Sequence, residues 1–225
     1  MGDRWATFDC YGTLADWVGG MRAAVQPFAG DRTDELMRAY YPLELEVQAE
    51  HPTMRYRDVL AETLRRAADR IGLELPAGGE HALALGWSRM PIFADVRPAL
   101  GALREAGWRL AILSNCDDDL LATTVGAIAV PFDELVSAEQ VGAYKPALAH
   151  FQAFAARTDG RRATWIHCAN SWAHDMEPAA AFGVPAVWID RDRTGQTEPL
   201  PRAHLHGMAE LPATLAGLTA GGPAT

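Results

Sequence analysis

Phe8-Asp9-Cys10-Tyr11-Gly12-Thr13-Leu14 follows the run Arg4-Trp5-Ala6-Thr7-Phe8, a short, largely apolar stretch of the kind that makes a buried strand. Gly12 lets the backbone turn sharply. Asp9 is therefore expected at the exit of a strand, and in an open α/β sheet ligands bind outside the carboxyl ends of the strands. A carboxylate there points into a crevice, where a nucleophile belongs. Asp-x-x-Gly also serves as an ordinary turn, so three later stretches decide between the two readings.

The first of the three is Trp108-Arg109-Leu110-Ala111-Ile112-Leu113, an apolar strand ending in Ser114-Asn115 and followed by Asp117-Asp118-Asp119 at a helix start. Side-chain donors and helix amides at one crevice suit a carboxylate or a phosphate, although either residue can also serve as an N-cap. The second is the strand Phe132–Ser137, then Val141-Gly142-Ala143-Tyr144-Lys145-Pro146 and a helix expected to begin near Ala147. The third is the strand Thr164–Ala169, leading into Asn170-Ser171-Trp172-Ala173-His174-Asp175 and a helix that ends at Gly183. Val187-Trp188-Ile189-Asp190-Arg191 follows it, and beyond Arg193 the sequence predicts one short strand around Leu205, a last helix from Met208 and a frayed Gly/Pro/Ala/Thr tail.

Between the first motif and Phe93 the character is different. From Asp16 to about Trp87 there is no strand pattern, whereas Asp31–Glu50 and Arg55–Ile71 carry apolar residues at helical spacing. Val59, Leu60, Thr63, Leu64, Ala67 and Ile71 form one expected buried stripe. Asp31-Arg32-Thr33-Asp34 offers an N-cap, and the Gly72 and Pro76 region closes the later helix. Leu43-Glu44-Leu45-Glu46-Val47 alternates like a strand, but its neighbours argue for helix.

Composition narrows the function classes. The 225 residues, 49% hydrophobic and 22% charged, fit a soluble globular protein with one large domain or a core carrying an insertion. A formal charge of −9 with no basic run argues against nucleic acid as a partner, while an anionic small molecule stays open because local charge governs a cleft. No apolar stretch is long enough to span a bilayer and no leader-like segment opens the chain, so no membrane partner is expected. Cys10, Cys116 and Cys168 are too few and too scattered for a disulfide framework or a zinc cluster, which points to a reducing cytoplasm. His167 and His174 lack a third His or Cys at ligand spacing and read as a core His and a loop His.

Asp9-Cys10-Tyr11-Gly12-Thr13-Leu14, Ser114-Asn115, Lys145-Pro146 and the Asp175 stretch resemble, in order, the four motifs of the haloacid dehalogenase superfamily. The resemblance implies a doubly wound parallel α/β sheet with an inserted helical cap, here residues 14–92, on a core made of residues 1–13 and 93–225. Most of that superfamily has a second Asp two places after the nucleophile to protonate the leaving group, and this chain has Tyr11. Tyr in that slot is the pattern of the L-2-haloacid dehalogenase branch. Halide departs as a stable anion and needs no general acid. The fourth motif, His-x-Ala-x-Ser-x-x-His-Asp-x-x-Pro-Ala, departs from the Ser-x-Asn-x-x-Asp of the best-studied members.

The function implied is hydrolysis of a short 2-haloacid through an aspartyl ester, without cofactor or metal. Asp9 is the nucleophile, Lys145 and Thr13 stabilise its carboxylate, and Asp175 with Ser171 positions or deprotonates water. Ser114 and Asn115 bind the substrate carboxylate, Tyr11 and Trp17 wall the halide pocket, Asn170 is a further candidate, and Arg38 stands near the place of the family's cap arginine. Many proteins of this fold are dimers, so a homodimer is an expectation that comes with the resemblance. Two rival readings are a magnesium-dependent phosphatase with Asp9 and Asp175 as metal ligands, and a catalytically weak binding protein of the same fold.

Overall fold

The computed structural model describes residues 4–158 and 165–220. In β1 (Arg4–Phe8) the residues alternate, with Ala6 and Phe8 packed on one face and Trp5 on the other. It is the centre of a six-stranded sheet completed by β2 (Trp108–Ser114), β3 (Glu134–Ser137), β4 (Trp165–Ala169), β5 (Ala186–Ile189) and β6 (Ala203–Leu205), in the order β3-β2-β1-β4-β5-β6. Every neighbouring pair is parallel. Phe8 is in register with Ile112 of β2 and Cys168 of β4, so the loops carrying Asp9, Asn115 and Asn170 leave the sheet side by side. The order reverses between β1 and β4, the place where doubly wound sheets open a crevice.

Helices cover both faces. On one, α5 (Val96–Glu105), α6 (Asp118–Ile128) and α10 (Leu211–Ala220) bury Leu100, Leu121 and Leu215 against Phe8 and Ile112. On the other, Phe151 and Phe154 of α8 (Ala149–Arg157) and Ala179 of α9 (Glu177–Phe182) pack on Trp5, Leu113 and Trp165. A short α7 (Ala138–Val141) precedes α8. Helix α8 opens two residues later than the sequence suggests, and α10 begins at Leu211 rather than Met208. Thr164 and the tail from residue 221 lie outside the described residues.

The remaining helices are α1 (Trp17–Ala29), α2 (Thr33–Glu50), α3 (Tyr56–Ile71) and α4 (Ala82–Gly86). Met21, Leu36, Tyr40, Val47, Leu60, Leu64 and Trp87 form their own apolar cluster. The expected stripe on α3 is buried except for Ile71, which is half-buried, and Gly72 closes the helix in the left-handed region, where a side chain would be strained. Thr33 is not an N-cap: it lies inside α2, and its hydroxyl donates to the Gly30 carbonyl. Among the described residues no helix is long and apolar enough to cross a membrane.

Hydrogen bonds tie the helical block to the rest of the chain at several places. Where the chain enters and leaves, Asp16 N donates to Pro91 O at 2.8 Å and Phe93 N to Leu14 O at 3.1 Å. At the start of α3, buried Asp117 accepts the amides of Tyr56 and Arg57, and Arg55 reaches Asp119 and Glu139.

Candidate active site

Asp9 leaves β1 6% exposed. Gly12 makes the turn behind it at φ +87°, and Thr13 comes back so that its hydroxyl donates to Asp9 Oδ2 at 3.0 Å. Lys145 is 1% exposed and uses its three N–H donors on Asp9 Oδ1 at 3.0 Å, Leu113 O at 2.9 Å and Asp175 Oδ1 at 2.6 Å. Asp175, fully buried, sits in a π-helical turn (Trp172–Met176) ahead of α9, and its Oδ1 also takes the Nε2–H of His167 at 3.0 Å. The sequence-predicted group of Asp9, Thr13, Lys145 and Asp175 is thus one connected cluster at the carboxyl ends of β1, β2 and β4.

One ammonium shared by two buried carboxylates sets their protonation. Burial raises Asp9 above the ordinary carboxylate value, and Lys145 pulls it down without cancelling that rise, while Asp175 adds to it. Asp175 is held at about 2, because the Lys145 charge and the His167 bond outweigh the burial that alone would raise it. Lys145 is raised despite its burial, since both carboxylates favour its charged form. The cluster carries Lys145 as a cation and Asp175 as an anion, with Asp9 the more easily protonated acid.

Behind Asp175 runs a buried polar chain that the sequence reading reduces to a core histidine. Trp165 Nε1 donates to Thr7 Oγ1 at 2.7 Å, and Thr7 Oγ1 lies 2.8 Å from His167 Nδ1. The Asp175 carboxylate takes the Nε2–H, and Nδ1 and the Thr7 hydroxyl share the next bond of the chain. Period-two alternation explains the grouping: Thr7 and Asp9 share one face of β1, and Trp165 and His167 the same face of β4. Replacing His167 with Phe is expected to destabilise the protein by about 1–3 kcal/mol, since Thr7 and Asp175 each lose a buried partner. The urea midpoint measures this, and an unchanged midpoint would refute it.

Asp9, Lys145 and Asp175 line a cavity of about 680 Å³ together with Tyr11, Trp17, Glu44, Asn115, Asn170, Ser171 and His174, among others. The proton of Tyr11 is not available to it. The phenol oxygen accepts Trp87 Nε1–H at 3.0 Å, and the acceptors within reach of its own proton, Thr124 Oγ1 at 3.0 Å and Leu120 O at 3.5 Å, both lie outside the cavity lining. Burial holds the phenol well above its ordinary value. Tyr11 walls the cavity with its ring and offers no acid.

Of the expected binding residues, Arg38 and Ser114 stand outside the cavity lining, while Asn115 and Asn170 line it with side chains that also hold the chain. Arg38 is exposed on α2 and does not line the cavity. Ser114 is fully buried outside the lining, with no partner for its hydroxyl among the described residues, because it shares the strand parity of Leu110 and Ile112, which pack beneath α5. Asn115 lines the cavity but clasps the Lys145 backbone, accepting its N–H at 2.6 Å and donating to its carbonyl at 3.0 Å. Asn170 holds the loop after β5, accepting from Arg191 N and donating to Asp192. Ser171 faces the cavity and accepts the His174 amide, and burial lowers His174 so that its imidazole is neutral.

Arg191, Glu44 and His174 line the cavity without having been singled out as site residues. Arg191 is tied to Asp95 through both Nη atoms and to Thr13 O through Nε. Asp190, His204 and His206 bring possible metal-ligand atoms within 4.8 Å of one another, but the Asp190 carboxylate already accepts from Thr194, Gly195 and His204. The three cysteines are buried free thiols, each pushed up by burial.

The family profile of haloacid dehalogenase-like hydrolases matches residues 4–183. (S)-2-haloacid dehalogenase 1 of Pseudomonas sp. strain CBS-3 is 31% identical over 96% of this chain and 98% of its own. Haloacetate dehalogenase H-2 of Moraxella sp. strain B is 30% identical over 84% of this chain and 89% of its own. In fold, the chain is similar to L-2-haloacid dehalogenase from Xanthobacter autotrophicus, with a TM-score of 0.83 at 20% identity, covering 96% and 99% of the two chains. That enzyme has also been solved with chloropropionic acid covalently bound. With the matching profile spanning most of its length and full-length relatives on both counts, the chain belongs to the haloacid dehalogenase-like hydrolase family.

Proposed function

We propose that this protein hydrolyses the carbon–halogen bond of short 2-haloacids, with Asp9 as nucleophile. The observation that carries the reading is a carboxylate fixed by Lys145 and Thr13, with Tyr11, whose proton is engaged by Thr124 or Leu120 outside the cavity, where a general acid would otherwise stand. An Asp9 oxygen attacks the halogen-bearing carbon in line, a C–O bond forms, and the halide leaves with the C–X electron pair. Water then attacks the ester carbonyl, returning the Asp9 carboxylate and releasing the 2-hydroxyacid and a proton. The covalent step divides one hard displacement into two easier ones.

For the second half, Asp175 Oδ2 has no hydrogen-bond partner among the described residues and can accept a water proton. A carboxylate held at about 2 orients water better than it deprotonates it. His174, kept neutral by burial and 3.2 Å from Ser171 Oγ through Nδ1, stands in the same cavity and can take up a proton. The block α1–α4 acts as the cap, and its Trp17 and Tyr56 keep bulk water from the ester. Three free, buried thiols support the cytoplasm as the setting.

The cluster carries its own cation, which counts against the divalent cation of the phosphatase reading. The point between Asp9 and Asp175 is held by the Lys145 ammonium, at 3.0 and 2.6 Å, and Tyr11 has no acid to give an alkoxide leaving group. The test is halide release from chloro-, bromo- and fluoroacetate and both enantiomers of 2-chloropropionate, with and without a chelator. Chelator-insensitive release is expected. In single turnover in heavy-oxygen water the label is expected in Asp9, since the product's new oxygen comes from the carboxylate. Release from none of the acids would overturn the proposal.

A further inference from the structure

The wall of the cavity built by α2 presents an acid. Glu44 is 8% exposed, lines the space that Asp9 also lines, and takes the Tyr56 hydroxyl on Oε1 at 2.6 Å, with Gln48 Nε2 3.5 Å from the same oxygen. Tyr56 is itself set by ring contacts with Trp87 and Tyr144. No cation balances Glu44 from within the cavity: of the cations among the described lining residues, Lys145 is engaged by Asp9 and Asp175, and Arg191 by Asp95. A buried, uncompensated carboxyl disfavours its own charged form and repels any anion brought beside it.

We propose that Glu44 is a specificity-determining residue that reads the charge at the non-reacting end of the substrate. As the acid it donates to the carboxylate of a 2-haloacid. As the anion it expels that carboxylate and accepts instead from an uncharged amide of the same shape. This rests on the haloacid reading above and names which charge state of the cavity admits such a substrate.

Burial brings Glu44 to about 7, although the Tyr56 bond favours its anion. The titratable groups facing it from the packed elements are Tyr40 and Tyr41 of α2, Tyr56 of α3 and Tyr144, all phenols raised by burial. Across the cavity stand Asp9, Asp16, Asp175, Asp192, His174, Lys145 and Arg191. Asp175 and His174 are both lowered. A Glu44→Gln variant separates Glu44 from the raised Asp9.

Binding of propionate and propionamide, two non-reacting ligands of equal shape, is followed by the fluorescence of the cavity tryptophans from pH 6 to 9. In the wild type the propionate affinity is expected to fall about 10- to 100-fold as the competent fraction shrinks, while propionamide changes little. Glu44→Gln flattens the propionate profile. Tyr56→Phe, which removes the bond favouring the anion, moves the wild-type fall to higher pH. A propionate profile identical in wild type and Glu44→Gln, or equal profiles for the two ligands, overturns the assignment. Halide release is scored separately, so an enzyme that binds as described but releases no halide refutes the dehalogenase reading alone.

Discussion

Lys145→Met is expected to lose about 3–5 kcal/mol of stability and to lower halide release by roughly 10²–10³-fold or more. The side chain is 1% exposed, and removing its charge leaves Asp9 and Asp175 as facing buried carboxylates. Two such groups cannot both stay ionised, so one takes up a proton. His167 still bonds Asp175, which makes Asp9 the acid that is neutralised, and a neutral carboxyl is no nucleophile. Urea denaturation together with a pH–rate profile checks this. Near-normal turnover at neutral pH would show that Lys145 is not what keeps Asp9 ionised.

Asp9→Asn is expected to abolish turnover, by on the order of 10⁴-fold or more, and with it any covalent adduct detectable by mass spectrometry. The amide keeps the shape, and its one oxygen can accept from Lys145 while its NH2 donates to the Thr13 hydroxyl, so the fold is retained at some cost in stability. In the wild type the acid limb of the rate profile follows the same group. Asp9 is raised by burial, with Lys145 only partly offsetting it, so activity is present above that raised value and disappears as pH falls through it, earlier than for an ordinary carboxylate at 3.8. An acid limb unaffected by Lys145 substitution, or an adduct on the Asp9→Asn protein, would count against Asp9 as nucleophile.

The sheet and the reacting cluster are legible in the sequence because each depends on local signals. An apolar run followed by Asp and a turning Gly places Asp9, and a Lys-Pro ahead of a helix places Lys145. What sequence does not show is which side chains are already engaged. Asn115 and Asn170 are good donors on paper, and only the folded chain reveals that they clasp Lys145 and the loop after β5. Ser114 is misjudged because the last residue of a strand faces either crevice or core according to parity, and here parity puts it beneath the sheet. Arg38 lies on the opposite face of the helix from the stripe Leu36, Tyr40, Leu43 and Val47 that turns inward, whereas Glu44 is buried beside it. An acid beside an apolar helical stripe is the available signal, and taken locally it argues only for helix.

The three-way sharing of charge at Lys145 also shapes how this chain can change over generations. Asp9, Lys145 and Asp175 compensate one another within hydrogen-bond distance, so their substitutions are not independent. Losing the lysine strands two acids, and losing either acid weakens the hold on the lysine. A lineage that exchanges them one at a time passes through folds less stable than either end point. The trio is therefore expected to change only as a unit, while the cavity wall on α2, which shares none of its bonds, can be exchanged without stranding a buried charge of the trio.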